Sequence, residues 1–349
     1  MERNGQDVNP SVTVCIITLN RGNVIREAFH SILSQSYPKS RVSIVIVDGG
    51  STDNTVGVCR NMLSGSEVAN YEITVQKSTI PEARNICISK ATGDFLLFWD
   101  SDIIMSPDAI EKLVEASVKT GIEILSADVK FTKLNNLEEG WRLLESYTSH
   151  AMNKIEYTPA VTMSATLLRR KVAEAIRFDP DLTLYEDIDF CMRAAKAGFK
   201  IAVHKGVIAV DLNLANEPSS DIFTGKPISE LLRGLRKKAK AKVYALSPEN
   251  NIKGYFKYIV SNPRYLVYLG YMPVLVLLAF ALASNNTIFT LLPAIYICGY
   301  LGYQAVKRGL RHGLKAFAIS LLVGMPLATL MFYYSSINSV KIHKTPSSH

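Results

Sequence analysis

Between Val12 and about Val129 the sequence alternates short β-branched runs with longer amphipathic stretches. The runs typical of strands are Val12–Ile17, Val42–Val47, Tyr71–Val75, Phe95–Phe98 and Ile122–Ala127. The stretches with helical periodicity lie between them, at Val24–Leu33, Thr55–Leu63, Pro81–Ala91 and Pro107–Val118. This order predicts an α/β fold, a mostly parallel sheet with helices on both faces.

A second section, from about Asn135 to Asn213, has a less regular pattern. It predicts a strand at Ala160–Leu168, a helix through Ile188–Ala197, and strands near Lys200–His204 and Val207–Val210. We expect this section to complete a cleft that the first section opens.

Polar loops follow three predicted strands at their carboxyl ends, at Thr18–Arg21, Asp48–Asp53 and Asp100–Asp102. Ligands of open α/β sheets bind at this edge. Asp100 and Asp102 are carboxylates at i and i+2, the kind of oxygen ligands that suit Mg²⁺ or Mn²⁺. The alternative for these residues is a helix cap, a role that Ser106, just before Pro107, fills better.

A basic amphipathic segment begins near Lys226. Apolar residues share one helical face, and six Lys and Arg between positions 233 and 242 fill the rest. This pattern predicts a helix lying on a membrane surface. A solvated basic helix packed on its own domain is the alternative.

Three later runs contain no Lys, Arg, Asp or Glu: Tyr265–Ala283, Ile288–Val306 and Ala316–Ser335. Each is long enough to cross a hydrocarbon core of about 30 Å as a helix. Basic residues precede the first run and fill the loop after the second, whereas the loop between these two runs has no charge, so the positive-inside rule places the large domain in the cytoplasm. We therefore expect a multi-pass protein of the cell membrane, with interfacial helices at 226–262 and about three transmembrane helices at 263–349.

Several classes of protein are disfavoured. The five cysteines are scattered, which argues against a zinc site or a disulfide framework. The net charge of +8 is concentrated beside the apolar runs, where anionic lipid is a nearer partner than nucleic acid. A transporter or sensor with a nucleotide-binding domain is the alternative from another class, but the apolar runs lack the charged groups that line substrate pathways.

Five motifs occur in the order and spacing of the family 2 glycosyltransferases, which have the GT-A fold. They are Val14–Arg21, Val45–Thr55, Pro81–Asn85, Gly93–Asp102, and Glu186–Phe190 with Arg193. The chain resembles this family from about Ser11 to Asn213. The resemblance implies an inverting glycosyltransferase whose catalytic domain, residues 1–225, is a Rossmann-like sheet of mostly parallel strands.

The resemblance assigns six residues to the side of the nucleotide-diphosphate sugar: Thr18, Asn20, Asp48, Arg84, Asp100 and Asp102. Among these, Asp48 is similar to the carboxylate that receives the nucleobase, a uracil or a guanine. Arg84 is similar to a contact in the nucleotide cleft, and Asp100 to a ribose contact that supports the metal site. Asp102 is similar to the direct ligand of Mn²⁺ or Mg²⁺.

Asp187 matches the catalytic base of the family, with Glu186, Asp189 and Arg193 as acceptor-side or orienting residues. Read without that context, these acidic residues would simply complement a helix dipole. Relatives often place a histidine ligand at the end of the strand after this helix, where the present chain has Asp211. The sequence leaves open whether Asp211 or His204 completes the metal site, or whether this ligand is missing.

The motif around Asp187 also bears on the acceptor. A hydroxyl needs a general base to remove its proton, whereas a polyprenyl phosphate is already an anion. The base therefore favours a hydroxyl acceptor on a lipid-linked or other membrane-associated glycan, with a polyprenyl (dolichyl) phosphate sugar synthase as the alternative. The QxxRW signature of processive synthases is missing from the sequence, so we expect a single sugar addition.

Overall fold

The computed structural model describes residues 9–182, 186–214 and 298–299. The chain divides into two compact units, Met1–Ile222 and Phe223–His349. The basic amphipathic segment lies outside the described residues, as do the three apolar runs apart from Cys298 and Gly299, which are helical and exposed. Within the described part of the chain, no helix combines the length and apolar character needed to cross a membrane.

Strands and helices alternate in the first half of the catalytic unit. The elements are β1 (Val12–Thr18), α1 (Ile25–Leu33), β2 (Val42–Asp48), α2 (Thr55–Leu63), β3 (Asn70–Val75), α3 (Ile80–Lys90) and β4 (Phe95–Trp99). The second half is more mixed. It contains β5 (Ile103–Met105), α4 (Ala109–Thr120), β6 (Ile124–Lys130), β7 (Lys133–Leu134), α5 (Leu137–Ser149), β8 (Ile155–Tyr157), β9 (Ala165–Arg169), α6 (Arg170–Ala175), α7 (Glu186–Lys196), β10 (Ile201–Asp211) and β11 (Asn213–Leu214).

The main sheet has the strand order β3-β2-β1-β4-β9-β6-β10-β5, with β8 also paired to β10. Strands β1 to β4 are parallel to one another, and β10 is parallel to β6. The antiparallel strands are β9, between β4 and β6, and β5 and β8 beside β10. The predicted mostly parallel α/β sheet is confirmed. Because β2 and β4 lie on opposite sides of β1, their connections diverge there, and a crevice forms at the carboxyl ends.

Side chains alternate between two apolar layers, one on each face of the sheet. In β4, Leu97 joins the layer that packs on α1, α2 and α4. Leu96 and Phe98 join the opposite layer, with residues of α3, α6 and α7. This alternation is the geometry of a strand that is buried on both faces. Helices therefore cover both faces, as the sequence predicted.

The second half departs from the prediction in three places. The predicted strand Ala160–Leu168 begins only at Ala165, because a turn closed by the Thr166 hydroxyl on the Thr162 carbonyl (2.6 Å) precedes it. The strands predicted near residues 200–204 and 207–210 form one strand, β10, whose register shifts between His204 and Ile208. Helix α5 was not predicted at all.

The helix cap assigned to Ser106 is also wrong. Helix α4 begins at Ala109 with Asp108 as its N-cap, and the short strand β5 separates it from Asp100-Ser101-Asp102. Ser106 contributes its backbone carbonyl, which accepts from the Ala109 N–H at 3.0 Å. Neither carboxylate of the acidic motif caps this helix, so the alternative to a ligand-binding role for the motif loses its support.

Gly93, in the turn before β4, allows the closest approach between β4 and β1. A Cβ atom there would lie 2.7 Å from the Thr13 backbone N, 2.9 Å from the Phe95 carbonyl O and 2.9 Å from the Val12 carbonyl C. Backbone atoms in a central strand pair cannot move aside, so we expect Gly93→Ala to destabilise the unit by about 1–3 kcal/mol. Chemical denaturation followed by circular dichroism would measure this loss.

Gly65→Ala is the matched control, since a Cβ at Gly65 meets no atom within 4 Å in the described structure. It should leave stability unchanged or slightly raised, because alanine restricts the unfolded chain. Equal effects of the two substitutions would contradict the packing argument.

Candidate active site

A cavity of about 570 Å³ opens at the carboxyl ends of β1, β2 and β4. Four of the predicted site residues line it: Thr18, Arg84, Asp100 and Asp102. Residues 78–80 at the start of α3 form another part of its wall. Its volume lies within the range of pockets that hold small molecules and cofactors, roughly 300–1,000 Å³.

Asn20 fastens the loop after β1 to the loop after β2. Its backbone is left-handed, with φ of 52°. Its side-chain Oδ1 accepts from the Thr52 N–H at 2.8 Å, and its own N–H donates to Ser51 Oγ at 2.8 Å. The structure thus shows Asn20 shaping the rim of the cavity, and a direct donor contact for this residue stays a prediction.

Asp48 is buried at the end of β2 and shapes the loop that follows. Its Oδ1 accepts from the N–H groups of Gly50 (3.0 Å) and Ser51 (2.7 Å), and its Oδ2 accepts from Ser51 Oγ at 2.5 Å. A nucleobase N–H would have to share an oxygen that already accepts one of these bonds. The contact between Asp48 and the nucleobase remains a prediction.

Backbone hydrogen bonds hold the acidic motif at both ends. The Asp100 N–H donates to the Ser164 carbonyl at 2.9 Å, and the Asp102 carbonyl accepts from the Leu212 N–H at 2.8 Å. Each carboxylate faces an arginine. Arg84 Nη2 lies 3.8 Å from Asp100 Oδ1, and Arg21 Nη2 lies 3.4 Å from Asp102 Oδ2.

Asp211 ends β10 directly opposite Ile103, so the predicted third metal ligand lies beside the acidic motif along the sheet. The described residues nevertheless contain no group of three His, Cys, Asp or Glu side chains placed to hold one ion. The predicted set of Asp100, Asp102 and Asp211 is therefore not gathered around one point. Mg²⁺ is commonly held by one or two carboxylates together with substrate phosphates, and the chemistry of the Asp100 and Asp102 pair fits such a site.

His204 is not part of this region. It pairs with Ala127 and Ile155 in the interior of β10, seven residues before Asp211 and so roughly 20 Å along the strand. Its buried ring accepts from the Gly206 N–H through Nδ1 at 3.1 Å. The suggestion that His204 completes the metal site is wrong, because its pairing with Ala127 and Ile155 keeps it in the interior of the sheet, far from Asp211.

Arg84 joins three parts of the site. It lies in the second turn of α3, a helix whose start is fixed by a capping interaction of the Thr79 N–H with Glu82 Oε2 (2.7 Å). Its side chain is buried, and Nη1 lies 2.6 Å from Glu186 Oε1 on α7. Since Nη2 faces Asp100, one guanidinium links α3, α7 and the acidic motif.

Two buried polar atoms near the cavity are unsatisfied. Arg84 Nε and Thr18 Oγ1 make no hydrogen bond within the described part of the chain. Such atoms are rare in folded proteins and cost free energy unless a partner is supplied. Both residues line the cavity, which makes them suited to contact a polar ligand there.

Helix α7 is anchored behind its acidic first turn. Asp189 is buried, and its Oδ2 lies 2.8 Å from Arg193 Nη2, which also donates to the Arg177 carbonyl at 2.7 Å. Phe190 stacks on Phe178 with ring centroids 4.4 Å apart. Asp189 and Arg193 therefore fix the position of α7, which is an orienting role.

Asp187 follows Glu186 in the first turn of α7. Burial raises the pKa of the Asp187 carboxyl above its ordinary value, and the neighbouring charge of Glu186 raises it further. The Ile188 N–H and the charge of Arg84 act in the opposite direction but do not cancel the rise in pKa. A partly buried carboxylate with a raised pKa has the properties of a general base.

Arg21 and residues 78–80 line the cavity as well, although no role for them was predicted from the sequence. The signal for residues 78–80 was present in the sequence. Thr79 and Glu82 have the spacing of a capping box ahead of α3. A helix N-terminus at a ligand-binding edge favours an anion. The partner of Arg21 depends on tertiary structure and left no local signal.

The fold, a mostly parallel sheet with helices on both faces, is that of the GT-A class of glycosyltransferases. Residues 13–177 match the family model described as Glycosyl transferase family 2. Residues 13–177, slightly less than half of the chain, therefore form a family 2 glycosyltransferase domain, as the motifs predicted, and the domain is that of a glycosyltransferase enzyme.

Known proteins similar to the chain fit this assignment. Glycosyltransferase AglE of Haloferax volcanii is 27% identical over 201 residues, 57% of this chain and 66% of the relative. A dolichyl N-acetyl-α-D-glucosaminyl phosphate 3-β-D-2,3-diacetamido-2,3-dideoxy-β-D-glucuronosyltransferase of Methanococcus voltae is 23% identical over 219 residues, 57% of this chain and 65% of the relative. The chain thus spans slightly less than two thirds of each relative.

The crystal structure of S. aureus TarS 1–349 in complex with UDP-GlcNAc is also similar. It superposes with a TM-score of 0.53 at 15% identity, covering 96% of this chain and 92% of that one. At this level of identity the similarity shows the fold.

The raised pKa of Asp187 predicts a pH-dependent effect on stability. When the folded state raises a carboxyl pKa, ionisation costs more in the folded than in the unfolded chain. We expect Asp187→Asn to be more stable than the wild type at neutral pH. This difference in stability should shrink as the pH falls toward 3.8, the ordinary pKa of an aspartate carboxyl. Melting temperatures measured between pH 4.5 and 8 would show this.

Asp181→Asn serves as the control, because it removes one carboxylate from an exposed position near the same helix. A stability difference between Asp187→Asn and wild type that stays constant across the pH range would refute the burial argument.

Proposed function

We propose that the protein is an inverting, metal-dependent glycosyltransferase that moves one sugar from a UDP- or GDP-sugar to a hydroxyl of a membrane-associated, lipid-linked glycan. The observation that carries this proposal is the position of Arg84. It contacts Asp100 on the cavity side and Glu186, the neighbour of Asp187, on the other side. A donor pocket and a candidate base thus share one fixed side chain.

On the donor side, the chain offers a diphosphate several matching groups. The N-terminus of α3, the Arg84 guanidinium and the Thr18 hydroxyl all lie at the cavity wall. Helix N-termini and arginines favour phosphate oxygens, and the unsatisfied Arg84 Nε and Thr18 Oγ1 gain partners when a polar ligand arrives. The UDP-GlcNAc complex of TarS supports a nucleotide-sugar donor.

Asp102 would hold Mn²⁺ or Mg²⁺ directly, with Asp100 supporting it. The ion would supply positive charge against the diphosphate that leaves. The chain itself keeps these carboxylates in place through the backbone bonds to Ser164 and Leu212.

On the acceptor side, Asp187 removes the proton of the attacking hydroxyl. A single carboxylate is sufficient for inversion, since the oxygen attacks the anomeric carbon from the face opposite the leaving diphosphate. Burial and Glu186 make Asp187 a stronger base than an exposed aspartate by raising its pKa. The Asp189–Arg193 pair and the Phe178–Phe190 stack keep the helix of the base in position.

A hydroxyl acceptor is supported over a polyprenyl phosphate by this environment, because a phosphate needs no base. The Methanococcus voltae relative bears the name of a transferase acting at position 3 of a dolichyl-phosphate-linked sugar, a lipid-linked acceptor of this kind.

The apolar runs beyond residue 264 and the basic residues beside them support a location in the cell membrane. The catalytic domain would lie on the cytoplasmic side, in contact with membrane lipids.

The proposed activity predicts release of nucleotide diphosphate from a matching donor. The purified chain would be incubated with Mn²⁺ or Mg²⁺, a panel of UDP- and GDP-sugars, and a membrane lipid extract as acceptor. We expect one donor or a few related ones to release diphosphate faster than the rest, with sugar incorporated into the lipid fraction. Failure to turn over any donor with either ion would count decisively against the proposal.

The proposed hydroxyl acceptor predicts that substitutions of Asp187 and Asp102 affect the transfer rate differently. With a hydroxyl acceptor, Asp187→Asn should lower kcat by about 10²–10⁴-fold, the usual contribution of a general base. Asp102→Asn should weaken activity with any acceptor. Transfer rates to a lipid-linked saccharide and to a polyprenyl phosphate would be compared. If Asp187→Asn retains full transfer to the phosphate while Asp102→Asn abolishes it, the hydroxyl assignment is wrong.

A further inference from the structure

Arg21 makes an ion pair with the predicted metal ligand. Its Nη2 lies 3.4 Å from Asp102 Oδ2, and the two side chains are 36% and 24% exposed. Both residues line the cavity. The pair joins the loop after β1 to the loop after β4, across the crevice where the strand connections diverge.

The backbone of Arg21 is firmly held. Its N–H donates to Thr55 Oγ1 at 2.8 Å, and that hydroxyl donates to Asp53 Oδ1 at 2.5 Å. Its carbonyl accepts from the N–H groups of Val24 and Ile25 at 3.0 and 2.9 Å. The base of the side chain is therefore fixed, and its partly exposed guanidinium lies at the cavity wall.

The other arginine of the cavity is held differently. The Arg84 side chain is only 6% exposed and lies 2.6 Å from the buried Glu186 carboxylate. It also lies over the Phe178 ring, 5.4 Å from its centroid. A buried, doubly anchored guanidinium stays in place, whereas a partly exposed pair such as Arg21–Asp102 exchanges partners at little cost.

Two cations compete for Asp102. A divalent ion bound by this carboxylate would lie close to the Arg21 guanidinium, and the two positive charges would repel each other. A nucleotide diphosphate carries the negative charge that can take up the displaced guanidinium, since arginine matches phosphate oxygens in pairs.

We propose that Arg21 is an exchangeable counter-ion of Asp102, which yields this carboxylate to the divalent ion and moves to the diphosphate of the donor. This inference rests on the metal-dependent donor binding proposed above. Its consequence is coupling between the binding of the ion and that of the nucleotide. The divalent ion binds more tightly together with the nucleotide than by itself, because the diphosphate compensates the charge of Arg21.

The test measures Mn²⁺ binding to the whole chain by isothermal titration calorimetry and electron paramagnetic resonance, without nucleotide and with UDP or GDP. Arg21→Gln removes the competing charge. We expect the variant to bind Mn²⁺ alone about two- to fivefold more tightly, in line with the strength of a partly exposed ion pair. It should also bind UDP or GDP more weakly in the presence of Mn²⁺, so that the coupling between ion and nucleotide falls.

Arg26→Gln is the matched control, since it removes one positive charge from α1 at a side chain that contacts Met62 and does not line the cavity. It should behave as the wild type in both titrations. Arg21→Lys keeps the charge but not the paired donors, so it should keep weak binding of Mn²⁺ alone and lose part of the nucleotide affinity. If Arg21→Gln is too unstable to study, Arg21→Lys tests the proposed exchange of Arg21 between Asp102 and the diphosphate.

Asp102→Asn separates the failure of this inference from that of the proposed function. If Asp102→Asn weakens Mn²⁺ binding while Arg21→Gln matches the wild type without nucleotide, the metal ligand stands and the exchange is wrong. If Asp102→Asn binds Mn²⁺ as the wild type does, or no variant binds it with or without nucleotide, the metal assignment fails and the exchange with it.

Discussion

The buried ion pair between Arg84 and Glu186 is the contact on which the arrangement of the site depends. Burying a charge is costly unless a partner lies close, and here the two groups lie 2.6 Å apart with little exposure. The pair ties the start of α7 to the second turn of α3, and α3 packs against β1 and β2. The aromatic contact of Arg84 with Phe178, which stacks on Phe190, extends this link into the apolar layer. The candidate base is thereby held relative to the sheet edge.

The same pair also sets the chemistry of Asp187. Burial has the largest effect on its pKa, and Glu186, the neighbour in sequence, raises it further, while Arg84 opposes this rise. Arg84 therefore limits the effect of Glu186 and at the same time fixes where Glu186 lies. The Arg84–Glu186 contact thus fixes the geometry of this site and adjusts a pKa that burial mainly sets, so we expect a change in either partner to alter both.

The first half of the domain could be read from the sequence because its signals are local. Helix α2 was predicted with the observed bounds, and β1 and β2 to within one residue, since each apolar run is bounded by polar loops. Helix α5 was missed, although the Asn136 side chain accepts from the Glu139 N–H at 2.9 Å, and the Asn136 and Glu139 spacing of this cap is visible in the sequence.

Within the site, Thr18, Arg84, Asp100 and Asp102 gather as predicted because they follow or face parallel strand ends. The Arg21–Asp102 and Arg84–Glu186 pairs join residues 81 and 102 positions apart, and no local pattern predicts which charges meet.

The path of the chain after β4 explains why the acidic motif can be both rigid and reachable. β4 lies in the middle of the sheet, whereas β5 lies at its edge beside β10, and residues 100–102 cross from one to the other in a turn that the Ile103 N–H closes on the Asp100 carbonyl at 3.1 Å. The crossing is held on Ser164 before β9 and on Leu212 after β10. Because the backbone of residues 100–102 is fixed at both ends, we expect side chains on the opposite wall of the cavity to adjust when a ligand binds. Arg21 is the partly exposed cation of that wall that contacts Asp102, whereas Arg84 is locked by Glu186. The two arginines that face neighbouring carboxylates thus differ in burial and in the ion pairs that hold them.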